Sequence, residues 1–225
     1  MNIVHKAVVL VIIIMLCACA GLLLSPAERA FESGLTLFNA GKYAEAAQYF
    51  AKAVEADPKF GKAYLYLGRS YLNLGRFRDA VEPLRAAFSL EPEQSRKEIA
   101  SLLLNAFLGA GKTSLSKGNY MEAVEMFREA FKLDPQFKEG RSDFVSALIA
   151  AGIQFLSRED VKSAISSFQE AIDLSPDNIE AYLGLAKAFL QSGDHAKAIE
   201  STKNALKIQP DNSSALDFLW DLLKK

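Results

Sequence analysis

The chain has 225 residues and a mass of 24.7 kDa; 50% of it is hydrophobic and 24% charged, with 26 Lys and Arg against 27 Asp and Glu. That balance excludes the strongly basic surface of a nucleic-acid binder, and two histidines with two cysteines all but exclude a zinc centre built from Cys and His. Seven prolines, thirteen glycines and the lack of long charge blocks exclude a disordered or collagen-like chain.

The first element is membrane-seeking. Residues 1–24 read MNIVHKAVVLVIIIMLCACAGLLL: one firm positive charge at Lys6, an uncharged apolar run, then small residues. That is the layout of a signal peptide. Within it, Leu16-Cys17-Ala18-Cys19 resembles the lipobox of bacterial lipoproteins. The resemblance implies removal of residues 1–18, a thioether-linked diacylglycerol on Cys19, often a further acyl chain, and a short tether over 19–26. Ala20 stands where many inner-membrane lipoproteins carry aspartate, so the same resemblance implies the outer membrane, facing the periplasm. Two other readings stand beside it. Ala7–Leu24 as a helix of about 27 Å is enough to span a bilayer as an uncleaved inner-membrane anchor with an exported body. Ordinary cleavage after Ala18 or Ala20 is the third. With Cys17 removed and Cys19 acylated, no disulfide framework would remain.

Beyond residue 26 one phrase recurs five times. It reads GKYAEAAQYFAKAVEADP at 41–58, GRFRDAVEPLRAAFSLEP at 75–92, KGNYMEAVEMFREAFKLDP at 117–135, EDVKSAISSFQEAIDLSP at 159–176 and GDHAKAIESTKNALKIQP at 193–210. The closing prolines Pro58, Pro92, Pro135, Pro176 and Pro210 are 34, 43, 41 and 34 residues apart. About seven residues before each phrase lies a small residue: Gly34, Gly68, Gly111, Gly152 and Ala186. Apolar residues at helical spacing then give two helices per unit, A and B, joined by a short Gly or polar turn. The two long spacings have room for longer helices. After Pro92 one helix is expected from Gln94 to Ser116. After Pro135 the same lengthening competes with a separate turn at Gly140.

This pattern resembles the tetratricopeptide repeat. The family's small helix A position falls on the residues just named, and its first small helix B position on Ala46, Ala80, Ala123, Ala164 and Ala198. Its large position falls on Phe50, Leu84, Phe127 and Phe168, with Thr202 departing from it. The resemblance implies an all-α, right-handed solenoid over 27–225: repeats at about 27–60, 61–94, 95–137, 138–178 and 179–212, and a capping helix at 213–225. We expect a single domain, with Trp220 in the core of the cap. Gly or Ala in helix A lets helix B approach closely, and proline stops helix B.

Chemistry is sparse. Gly109-Ala-Gly-Lys-Thr-Ser114 looks like a phosphate loop, but Ala106 stands where the leading glycine belongs and the surroundings are helical. His195 reads as a packing or capping residue at a helix start. The serines have no His and Asp partners at telling spacing. No cofactor, metal, nucleotide or nucleic acid is expected, and no enzymatic activity. An unrecognised cell-wall enzyme or enzyme subunit is the alternative. In the tetratricopeptide family peptides commonly lie along helix A residues. In this register they are Phe31, Leu65, Leu108 and Ile149, then Arg69, Lys112, Ile153 and Lys187, an apolar-with-basic mixture suited to a segment of some acidic character. Part of the first line also packs against neighbouring repeats. The Lys and Asn clamp of the family's chaperone-tail binders is missing, since Phe31 and Leu35 hold those positions. The reading is a protein-interaction scaffold or assembly factor of the cell envelope, with envelope proteins or peptides as partners.

Overall fold

The structure, a computed structural model, describes residues 24–136 and 138–224. Cys19 and the lipobox lie outside them. The described residues form eleven α-helices and no strand. None of these helices is long and apolar enough to cross a membrane. Two compact units divide the chain, Met1–Ala106 and Phe107–Lys225.

The first unit holds α1 (Pro26–Asn39), α2 (Tyr43–Ala56), α3 (Gly61–Asn73), α4 (Phe77–Leu90) and the first part of α5 (Glu93–Ser116). Helix α1 packs on α2, α2 on α3, and α3 on α4. The second unit holds the rest of α5 with α6 (Tyr120–Leu133), α7 (Arg141–Ser157), α8 (Val161–Leu174), α9 (Ile179–Gln191), α10 (His195–Ile208) and α11 (Ser213–Leu223). There each helix from α6 to α10 packs on the next, and α11 on α10. The expected helix at 94–116 is α5. After Pro135 the chain turns at Gly140, which caps the N-terminus of α7, and α7 is still 17 residues long against 13 or 14 in α1, α3 and α9.

The packing of each pair turns on one small residue. A Cβ added at Gly34 would lie 2.8 Å from Cε1 of Phe50, at Gly68 2.5 Å from Cγ of Leu84, at Gly111 2.9 Å from Cε1 of Phe127, and at Gly152 2.7 Å from Cζ of Phe168. All four large side chains are fully buried, as are Ala46, Ala80, Ala123, Ala164 and Ala198. Burying each such side chain is worth roughly 1.5–3 kcal/mol against leaving it in water. Thr202 takes the large position in α10 and is also buried; its hydroxyl donates to the Ala198 carbonyl at 2.8 Å, so the polar group is not stranded.

The turns between A and B helices share a left-handed residue. Gly41, Gly75, Gly118 and Gly193 have φ of 75°, 67°, 77° and 83°. In the fourth repeat Glu159 takes that place at φ 62°. A Cβ there collides with the backbone at a cost of about 1–2 kcal/mol. At the start of α1, the Ser25 hydroxyl accepts from the Glu28 N–H at 3.2 Å and the Ser25 N–H donates to Glu28 Oε2 at 2.7 Å. This reciprocal cap holds the Glu28 carboxyl below the usual carboxylate range, chiefly through the Ser25 backbone hydrogen bond.

Candidate interaction surface

In the first unit the helix A residues divide between core and surface. Phe31 is buried within a ring cluster, with centroids 4.9 Å from Phe60 and 5.6 Å from both Phe50 and Tyr66. Leu65 is buried too. One turn later Arg69 is half-buried, with its guanidinium 5.5 Å from the Tyr66 ring centroid and ion-paired to Glu98 of α5. Beside it opens a cleft of about 510 Å³ lined by Phe38, Arg69, Leu72, Asn73, Leu102 and Asn105. Its lining combines three apolar side chains with one cation and two amides. Asn73 spends one N–H on the Arg69 carbonyl at 2.9 Å, leaving its own oxygen as an acceptor.

The second unit repeats the division. Ile149 is buried and Leu108 half-buried. At the next register position stand Lys112 on α5, Ile153 on α7 and Lys187 on α9. Ile153 is 53% exposed, and both lysines are exposed. Lys112 Nζ lies 3.5 Å from Asp143 Oδ2 of α7.

Arg69 and Lys112 are thus each matched to a carboxylate on the following helix A. Sequence reasoning placed the two cations and missed Glu98 and Asp143, although both acids sit at the starts of the longer A helices. Exposed pairs of this kind contribute little to stability. An acidic segment arriving here competes with a carboxylate already in place, so charge sets its orientation more than its affinity.

Two further corrections belong to the second unit. His195 is exposed, and Asp194 does the capping at α10, accepting from the Lys197 N–H at 3.1 Å. The Lys197 ammonium lies 2.8 Å from Asp194 Oδ2, and hydrogen bonding with Lys197 holds the Asp194 carboxyl below the usual range. Trp220 is 64% exposed, outside the core. Sequence reasoning also passed over Gly184, where a Cβ would lie 2.3 Å from Cε1 of Phe168. Phe168 is therefore gripped by glycines of two A helices, Gly152 and Gly184. Among the described residues no group of three or more His, Cys, Asp or Glu side chains is placed to hold a metal.

Three sequence models of the tetratricopeptide repeat match the chain, at residues 31–95, 104–137 and 155–219. The chain belongs to the tetratricopeptide repeat family. A search of curated proteins gives no match. Among solved structures, a TPR repeats protein from Bacteroides fragilis is 13% identical, with 89% of this chain and 99% of that one covered, at a TM-score of 0.55. TTC0263, a TPR protein of Thermus thermophilus, is 19% identical over 88% of this chain and 100% of its own, at 0.37. YrrB, described as a TPR protein with an unusual peptide-binding site, is 20% identical over 84% and 89%, at 0.37. The Bacteroides likeness shows the fold: tetratricopeptide helix pairs, an architecture of protein-interaction scaffolds. In this chain the repeats present Arg69, Lys112, Ile153 and Lys187 at one register position and bury Phe31, Leu65 and Ile149 at the position one turn earlier.

Proposed function

We propose that the protein is a non-catalytic scaffold or assembly factor of the bacterial cell envelope, held to the membrane by a lipid on Cys19, with the outer membrane, facing the periplasm, as its station. Its helix A faces receive envelope proteins or peptides. The observation that carries this reading is Ile153, an isoleucine left 53% exposed at the register position that Lys112 and Lys187 occupy on the neighbouring A helices. An exposed aliphatic side chain flanked by cations suits an extended or helical segment that alternates apolar and acidic residues. In the first unit the cleft of about 510 Å³ lined in part by Arg69 offers the same chemistry. The lipobox at residues 16–19 supports the tether, and two or more acyl chains would hold the body firmly where one binds only reversibly.

The test uses the full chain, tagged at the C-terminus and expressed in a bacterium. The wild type should incorporate a clickable fatty acid, sediment with membranes and bring down a stoichiometric protein. Cys19→Ala should lose the label and the processing. Ile153→Asp combined with Lys187→Glu should keep the label and lose the companion protein at physiological salt. Unchanged labelling of Cys19→Ala would refute the tether, and an unchanged companion in the double variant would refute the face.

A further inference from the structure

Helix α11 has two apolar faces. Ala215 and Leu222 are buried on the side that packs toward α10. On an adjoining side, about a third of a turn round the helix, Leu216, Trp220 and Leu223 are 46%, 64% and 61% exposed. Their spacing of four and three residues puts them in one stripe. Among the described residues no other helix leaves three large apolar side chains exposed in one line.

The repeat register says what the stripe is and what does not fit on it. Ten residues beyond the closing proline stand Gly68 after Pro58, Ala186 after Pro176 and Trp220 after Pro210. At Gly68 even a methyl group would come within 2.5 Å of Leu84 on helix B. Helix α11 is therefore built as a helix A whose helix-B-facing position holds an indole. A helix B of the kind seen in the repeats cannot seat there.

We infer that this face pairs with the same face of a second copy of the chain, antiparallel about a twofold axis. The stripe is nearly symmetric about Trp220. Reversing the helix brings Leu216 beside the partner's Leu223 and the two indoles together at the dyad. The charges match as well. On the helical wheel Asp217 and Lys224, both exposed, flank the same edge of the stripe. In the antiparallel pair Asp217 meets the partner's Lys224, and the symmetry makes the contact twice. In the single chain Lys224 only leans 5.2 Å over the Trp220 ring and 3.8 Å from Asp221, contacts too exposed to resist exchange. Three side chains fall short of the ~800 Å² per partner of a standard interface, so the dimer is reversible.

Trp220 is the only tryptophan of the chain, which makes its emission a direct reporter. The full chain is studied at fixed non-ionic detergent concentration while its own concentration rises, by fluorescence and sedimentation equilibrium together. The emission should shift to the blue in step with conversion from monomer to dimer. Leu216→Asp should stay red-emitting and monomeric. Asp217→Lys or Lys224→Asp alone should weaken the dimer roughly tenfold, and the two together should restore it. Since these positions are exposed, circular dichroism should show each variant folded. A wild type that stays monomeric and red-emitting overturns the inference. So does emission that is blue at every concentration, or a combined charge exchange that fails to restore pairing.

Discussion

Phe168 and Trp220 are large aromatic residues in the same repeating pattern, and they end in opposite environments. Phe168 is fully buried, pressed between Gly152 of its own repeat and Gly184 of the next. Trp220 stands 64% exposed on a helix with no neighbour on that side among the described residues. The difference teaches that the periodic pattern determines which way a side chain faces, whereas burial needs a second helix to arrive there. In a repeat protein each unit seals its neighbour, and α11, on which no helix packs at that face among the described residues, carries a face made for contact without the contact.

Breaking the sealed side should have the largest effect. Phe168→Ala leaves a hole lined by two glycine-bearing helices that cannot collapse onto it without losing their own register. A loss of about 3–5 kcal/mol is expected, read as a fall in the urea midpoint. Sharpening the comparison calls for a smaller change beside it. Glu159→Gly relieves the one non-glycine residue in the left-handed region among the described residues and should raise stability by about 1 kcal/mol, read in the same titration. On the open side, Trp220→Ala in dilute solution should change stability by less than about 0.5 kcal/mol. An effect of Trp220→Ala as large as that of Phe168→Ala would place the indole in a core and erase the contrast.

Much of the fold was legible because the pattern is redundant. A small residue, an alanine, a large side chain and a proline recur in order, and the steric reason for the first with the third is displayed at Gly34 with Phe50 and Gly111 with Phe127. The helix at 93–116 was legible because apolar residues keep helical spacing across it without proline. What escaped were relations between repeats. The Arg69–Glu98 pair joins residues far apart in the chain and depends on how a longer helix A begins. Gly184 sits two residues before the register's small position, so periodicity drew attention to Ala186 instead. Trp220 was misplaced because its spacing is that of a buried residue, and spacing carries no information about whether a covering helix is present.

The surface reading is open to one decisive comparison within the second unit. A photo-crosslinking amino acid is placed in the full chain at Ile153, on the exposed helix A line, and separately at Ser166, exposed on α8. Both variants are irradiated in living cells. The helix A face predicts a discrete protein adduct from position 153 and none from position 166. An adduct from position 166 with none from position 153 would contradict it and move the partner to the helix B side.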